Sequence, residues 1–363
     1  MSSEVGYFVA LFAVIGGALT YLLVLRPVLR TDIDPSDRQV AQHRYSRFLA
    51  WCGPLLLVAA YFQLAARVAR GTDGVTFGEA LAPQRIWSFL SVPATKGDWV
   101  ASGTLYLAQN ALFLLAALVL LSLFVRERPV RVAVTALVLA VLGSLISSVP
   151  TTFTGQTVDA ELDTWLTQTH VLAGGAWLGG IGCLAIVARS RLFGEHAGLC
   201  WARTWQRFSA LALTAVGVLV ASGSWLAWRH VGNIGELFST TYGRFLLAKL
   251  VIVITMVSAG GYNQLVLTPR IARVQADGDH RRGFALTLRH FPVVVTVEAL
   301  LGLCVLLIVP FLTGSARTQA GELVKPTIDG GILALGLLLV AALVGSLYTS
   351  HRVGLVLTQR AAA

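Results

Sequence analysis

Residues 162–189 read LDTWLTQTHVLAGGAWLGGIGCLAIVAR, and the prediction of the fold starts from them. It is long and apolar enough to cross a bilayer as one α-helix, yet it contains a histidine and five glycines. At helical spacing, Gly175, Gly179 and Cys183 form a ridge of small residues that lets a neighbouring helix approach closely. A second face of the same helix is formed by His170, Gly174, Trp177 and Ile181. The stretch therefore predicts a helix packed inside a membrane bundle.

The composition of the whole chain agrees with a membrane bundle. Of its 363 residues, 56% are hydrophobic and only 13% are charged, and the mean hydropathy is +0.72. A soluble domain is much more polar, so we predict an all-α polytopic membrane protein that has the lipid bilayer as its surroundings. The net charge of +10 resides in short clusters between apolar runs, which indicates membrane topology and not a nucleic-acid partner.

Nine apolar runs have the length of a membrane-spanning helix. They are residues 5–25, 48–66, 103–125, 132–149, 162–187, 208–228, 245–267, 291–312 and 330–347. The connections between them are short and contain no low-complexity tract, so we predict one membrane domain over residues 1–363. The longest outer connection contains FGEALAPQRIWSFLSV, residues 77–92, which predicts a short helix at the membrane surface or a lid over an outer cavity.

The distribution of basic residues predicts the orientation of the chain. Nineteen of the 28 Lys and Arg residues fall on one side of the nine predicted helices and eight on the other, while Lys249 lies within a helix. Because cytoplasmic loops carry the excess of Lys and Arg, the N-terminus is predicted outside and the C-terminus in the cytoplasm.

Polar residues within the predicted helices mark the place to look for function, because polar groups in hydrocarbon are costly. A helix rise of about 1.5 Å per residue puts six of them at one level, roughly in the outer third of the bilayer. They are Gln63, Gln109, His170, Ser222, Ser224 and Lys249. We expect a polar cavity open to the outside, although Lys249 reaching the headgroups and His170 as a packing residue are open alternatives.

A carboxylate lies deeper in the predicted bundle. Glu298 falls about two helical turns from the cytoplasmic end of its helix, at a level similar to that of Asn263. Such a carboxylate is protonated, or bonded to a partner such as Asn263, or part of an ion or proton path.

The sulfur-containing residues leave two interpretations open. The four cysteines show no CxxC spacing, so neither a disulfide framework nor a structural zinc site is predicted. Met256 and Cys304 lie near the predicted bilayer centre, and Cys183 and Cys52 lie nearer the cytoplasm. With His170 they would form a descending series of ligands suited to Cu(I); alternatively the cysteines are small apolar packing residues.

Four segments, in this order and spacing, resemble one protein family. They are THVLAGGAWLGG (169–180), QRFSALALTAVGVLVASG (206–223), TTYGRFLLAKLVIVI (240–254) and NQLVLTP (263–269). Over about residues 160–310 the chain is similar to the copper resistance protein D (CopD) family of bacterial inner-membrane proteins. The positions that match the family pattern are His170, Trp177, Gly179, Gly180, Arg207, Phe208, Ser209, Gly223, Tyr242, Gly243, Lys249 and Glu298.

The resemblance implies a multi-pass permease of the bacterial inner membrane that moves copper from the periplasmic side toward the cytoplasm. Family members often carry a Gly-His pair near the outer end of the fourth helix, where this chain reads SSVPTTFTGQTVDAELD, residues 147–163. The outer ligands that remain are His170, His230, Asp159, Glu161 and Asp163. The three carboxylates would also concentrate cations at the outer mouth, or belong to an ordinary solvated loop.

We therefore predict a copper-handling protein that performs no covalent chemistry, since no catalytic motif is present. Its candidate metal ligands are His170, Asp163, Glu161, His230, Met256 and Cys304. One alternative is a haem-binding electron-transfer protein with axial pairs drawn from His170, His230, His43 and His290. The other is a non-transporting factor that delivers copper to an oxidase, with a periplasmic copper-binding protein or the oxidase as its partner.

Overall fold

The computed structural model describes residues 2–31, 34–153, 155, 157–189, 197–231, 235–262, 280–318 and 345. These residues are built of helices, which confirms the predicted all-α class. The short helices are α3 (Phe77–Ala80), α4 (Pro83–Leu90) and α9 (Glu236–Ser239). The long helices are α1 (Ser2–Thr20, continued by a π-helical turn at Tyr21–Leu25 and by Arg26–Thr31), α2 (Pro35–Gly71), α5 (Ser102–Leu121), α6 (Pro129–Ile146), α7 (Val158–Gly174, continued by a π-helical turn at Gly175–Gly179 and by Gly180–Val187), α8 (Ala197–His230), α10 (Thr241–Tyr262) and α11 (His280–Thr318).

The eight long helices are each long and apolar enough to cross a membrane. They correspond to the first eight predicted spans, so the prediction of a polytopic bundle is confirmed. The ninth predicted span, residues 330–347, lies outside the described residues except for Gly345. Below, outer and inner denote the sides that the Lys and Arg distribution predicts.

Helix α1 lies at the centre of the bundle, where it packs against α2, α6, α7 and α11. At its outer end, Glu4 accepts a hydrogen bond from the Thr313 hydroxyl near the end of α11 (3.2 Å). This contact places the start of α1 beside the end of α11, so the two helices are antiparallel.

Glycines allow α1 and α7 to pack backbone to backbone. A Cβ added at Gly16 of α1 would collide with the backbone of Gly175, Gly179 and Gly180, and one added at Gly179 would collide with the carbonyl of Phe12. The predicted ridge of small residues on the fifth span is therefore confirmed. This close approach fixes α7 against the central helix and thereby fixes the direction of its other faces.

A π-helical turn interrupts α7 at Gly175–Gly179. Such a turn contains one extra residue, so it rotates the residues that follow it relative to those before it. Within the turn, the Leu178 side chain lies against Gly302 of α11. The spacing of apolar residues did not predict this turn. The turn sets the direction of Leu178, which lies on the same helix as His170 and faces α11.

The surface helix predicted within residues 77–92 is present as α3 and α4. Its start is held by a capping box, in which the Thr76 backbone N–H and hydroxyl both donate to Glu79 (2.8 and 2.9 Å). These bonds lower the pKa of Glu79, which keeps the carboxylate ionised at neutral pH. Helix α4 packs against the outer ends of α2 and α5 and buries Ile86. It therefore acts as an anchor on these two helices.

Candidate functional site

The centre of the candidate site is a hydrogen bond between α7 and α8. Nδ1 of His170 lies 3.0 Å from the Ser222 hydroxyl. That hydroxyl donates its proton to the Val218 carbonyl (2.7 Å), so it is the acceptor toward the imidazole. We infer that Nδ1 carries the hydrogen, which leaves the lone pair on Nε2. A neutral imidazole held at one nitrogen by a hydrogen bond is the usual arrangement of a metal-binding histidine.

Gly223 makes room for this ring. A Cβ at position 223 would lie 3.1 Å from Cε1 of His170 and 3.5 Å from Nδ1. The first distance is tighter than ordinary van der Waals contact, so the imidazole rests directly on the backbone of α8. The resemblance singled out Gly223 without giving a reason, and the structure supplies it.

Lys249 of α10 lies within electrostatic range of His170. It is partly buried, and it makes no hydrogen bond or ion pair with any of the residues that the structure describes. Of the six residues predicted at the outer level, His170 and Ser222 are brought into hydrogen-bond contact from two helices. The predicted cavity among them stays a prediction.

A methionine follows further toward the inner side. Met256 lies seven residues after Lys249, which places it on the same face of α10. Its side chain is 2% exposed, and its Cε lies 3.7 Å from the position of a Cβ on Gly302. The same glycine meets Leu178 of α7, so α7, α10 and α11 converge about two turns below His170.

Gln109 lies in a different polar cluster, which is formed by α2, α5 and α6. Gln109 is buried; it accepts a hydrogen bond from Arg67 and donates one to the carbonyl of Gly143, both 2.9 Å long. Oε1 of Gln63 on α2 is buried and has no hydrogen-bond partner among the described residues, and Ser224 of α8 is exposed. Helical depth alone predicted all of these residues in one cavity, but depth does not tell which way a side chain faces.

An arginine neutralises the negative charge of two aspartates near the outer end of α7. Oδ1 of Asp163 accepts a hydrogen bond from Nε1 of Trp225 (2.7 Å), and Oδ2 lies 3.1 Å from the guanidinium of Arg229. Arg229 also pairs with Asp159 at 3.5 Å, while Glu161 is exposed. Both oxygens of Asp163 are therefore engaged by nitrogen donors, and the role of the three carboxylates as metal ligands stays a prediction.

Sequence reasoning missed Trp225 and Arg229, although a signal was present. The two residues are four apart on α8, as are Asp159 and Asp163 on α7. Residues four apart lie on one face of their helix, so an acidic pair and a Trp–Arg pair on consecutive helices are able to meet if those faces are packed together. Two negative charges on α7 and a positive charge on α8, all near the outer side, would have predicted an ion-pair cluster.

Replacing Arg229 with methionine should destabilise the protein by about 1–3 kcal/mol. The arginine side chain is only 7% exposed, so its loss leaves two carboxylates facing each other, although each is about one-third exposed to solvent. Thermal unfolding in detergent measures the effect. Arg244→Met is the matched control, because Arg244 is exposed and bonds to backbone carbonyls. Equal melting temperatures for the two variants would contradict the structural role of Arg229.

The other predicted ligands are dispersed. Cys304 is exposed, whereas Cys52 and Cys183 are buried, and Cys52 donates to the carbonyl of Phe48 one turn away (3.3 Å). His43 bonds to Glu127 near the inner surface (2.7 Å). The described part of the chain contains no group of three or more His, Cys, Asp and Glu that would hold a metal ion. Of the predicted soft ligands, Met256 is the one that lies where α7, α10 and α11 converge on the inner side of His170. The roles of the other soft ligands stay predictions.

Five further residues were predicted, namely Trp177, Tyr242, Asn263, His230 and His290. Trp177 and Tyr242 are buried, the latter against Leu246 and Leu312. Asn263 and the side chains of His230 and His290 lie outside the described residues.

Comparison with known proteins gives two matches. Residues 202–312 match the family model of copper resistance protein D. The chain is also 30% identical over 170 residues to the copper transport protein CutJ of Bacillus subtilis (strain 168). That alignment covers 46% of this chain and 31% of CutJ, so the chain spans less than a third of its relative. No solved structure matches. The family range includes Ser222, Lys249 and Met256 but begins after His170.

Proposed function

We propose that this multi-pass membrane protein, which matches the family model of copper resistance protein D over residues 202–312, is a copper permease. It takes up copper at His170 from the periplasmic side and passes it inward across the bacterial inner membrane, without covalent chemistry. The observation that carries the proposal is the hydrogen bond between Nδ1 of His170 and Ser222, which leaves the lone pair of Nε2 available to bind a metal ion.

The donor atoms favour Cu(I) over harder ions. Where α7, α10 and α11 converge on the inner side of His170, Met256 offers a thioether. Imidazole and thioether are ligands that suit Cu(I). The carboxylates at the mouth would suit Cu(II) better, but those of Asp159 and Asp163 already face Arg229. These pairings support the soft ion as the substrate.

Lys249 gives the site a weak affinity, which transport requires. A cation that must leave its site again cannot be bound too tightly. The ammonium group near His170 raises the energy of a second positive charge there. In this proposal Lys249 keeps the outer site transient, while His170 supplies its selectivity.

Gly223→Ala should slow copper uptake by about tenfold, because the added methyl group pushes His170 from its seat on α8. The measurement is uptake of copper, supplied under reducing conditions, into proteoliposomes that contain the purified protein. Gly260→Ala is the matched control, since a Cβ there meets nothing within 4 Å. Equal uptake rates for the two variants would contradict the role of His170 in copper uptake. Wild-type vesicles that take up no copper would contradict the proposal that the protein is a copper permease.

A further inference from the structure

A cavity lies at the inner end of the hairpin that α5 and α6 form. Its volume is about 430 Å³, and pockets that hold small ligands measure about 300–1,000 Å³. The last turn of α5, the short connection after it and the first two turns of α6 line this cavity. It is therefore placed where two membrane-spanning helices reach the surface that the Lys and Arg distribution predicts to be cytoplasmic.

Three arginines line the cavity. Arg126 lies in the connection, Arg128 immediately precedes α6, and Arg131 follows three residues later. All three are exposed, and their guanidinium groups make no hydrogen bond or ion pair with any residue that the structure describes. A guanidinium group binds two phosphate oxygens at once through its planar set of N–H donors. Three such groups around one cavity provide the ligands for a phosphate.

The acidic residue of the connection does not neutralise these arginines within the cavity. Glu127 lies between Arg126 and Arg128 in the sequence, but its Oε1 is 2.7 Å from Nδ1 of His43 on α2. Among the described residues that line the cavity, none is acidic. The helix dipole of α6 adds to the positive potential, because Arg128 and Arg131 flank its first turn.

Apolar side chains in the same cavity favour a lipid over a soluble anion. Val119 of α5 and Val132 of α6 line it together with Val125, which is 84% exposed. Inorganic phosphate has no apolar part that would cover these valines. A phospholipid carries acyl chains next to its phosphate, so it would bury them while the arginines hold the headgroup.

An aromatic pair places this end of the hairpin at the membrane surface. Phe124 lies in the 3₁₀ turn that ends α5, and its ring meets Trp51 of α2 edge to face, with the ring centroids 5.6 Å apart. Trp51 is 64% exposed and Phe124 is 42% exposed. Exposed aromatic residues of membrane proteins are enriched at the level of the lipid headgroups. The arginines that follow Phe124 are then at the level of the lipid phosphates.

We propose that this cavity binds an anionic phospholipid of the inner leaflet. Arg126, Arg128 and Arg131 hold its phosphate, and the valines contact the beginning of an acyl chain. Basic pockets between membrane helices on the cytoplasmic side are suited to anionic headgroups. The inference is independent of the proposed function, since none of these residues belongs to the candidate copper site.

Native mass spectrometry of the purified protein, titrated with phosphatidylglycerol in detergent, tests the role of the arginines. Arg128→Gln/Arg131→Gln should bind the lipid at least about tenfold more weakly than the wild type, because two of the three phosphate ligands are lost. Arg30→Gln/Arg47→Gln is the matched control, since it removes the same charge from exposed arginines of the inner side that do not line the cavity. This control should bind as the wild type does. Equal weakening in both variants would reduce the effect to general attraction between charges and overturn the proposal.

A second variant tests the cavity without changing the charge. Thr135 of α6 is exposed and lines the cavity, so the indole of Thr135→Trp should fill it and weaken binding to a similar extent. Thr255→Trp places the same side chain at an exposed position of α10, outside the cavity, and should have no effect. Wild-type affinity in Thr135→Trp would show that the lipid does not occupy the cavity, and the proposal would fail.

Two further probes identify the ligand. Phosphatidylcholine should bind more weakly than phosphatidylglycerol, because its choline group neutralises the phosphate. Inorganic phosphate in large excess should leave the bound phosphatidylglycerol in place. Displacement by inorganic phosphate would show a site for soluble phosphate, and equal binding of phosphatidylcholine would show a site for acyl chains alone. Either result would contradict the proposal.

Discussion

Gly179→Leu should prevent the protein from accumulating in its folded form. A side chain at position 179 would collide with the carbonyl of Phe12, and the backbone of the central helix cannot move aside without opening the bundle. Overpacking at flexible side chains typically costs about 1–3 kcal/mol, and a backbone collision is expected to reach or exceed that range. A loss of this size is a large fraction of the stability of a typical protein.

The same substitution three residues away is the control. Gly182→Leu lies on the same helix but enters space in which a Cβ meets nothing within 4 Å. Size-exclusion chromatography of detergent extracts, followed by thermal unfolding of whatever is recovered, compares the two variants. Gly182→Leu should elute as the wild type does. A stable, monodisperse Gly179→Leu protein would show that α1 and α7 do not pack through their glycines.

His170→Ala should lower copper uptake into proteoliposomes by at least about tenfold. Loss of an outer-shell partner alone costs a metal site about 10–100-fold in affinity, and removal of the ligand itself costs at least as much. The effect should be specific to this histidine. His43→Ala is the matched control, because His43 is exposed near the inner surface and pairs with Glu127. Similar losses in both variants would indicate general damage to the protein.

The helices could be predicted from the sequence, but their ends could not. Apolar runs of about twenty residues identify membrane spans because the bilayer thickness sets that length. A helix continues into polar surroundings for as long as its residues tolerate it, so α2 begins at Pro35 although its apolar run begins at residue 48. The ridge of Gly175 and Gly179 was predictable because small residues at this spacing have few other uses in a membrane helix.

The sequence predicted the depth of the candidate site residues in the membrane, but not the direction in which their side chains face. Helical rise placed His170, Ser222 and Lys249 at one level, and the structure brings the first two into hydrogen-bond contact. The same rise included Gln109, which faces α2 and α6 instead. Direction around a helix depends on packing partners and on the π-helical turn of α7, and neither follows from the periodicity of one chain.

The most direct test of the account is X-ray absorption spectroscopy of the copper-loaded protein and its His170→Ala variant. We predict that the wild-type spectrum contains the multiple-scattering pattern of an imidazole ligand, and that His170→Ala loses both this pattern and most of the bound copper. An identical copper content and an identical spectrum in the two proteins would contradict the central claim that Nε2 of His170 binds the transported ion.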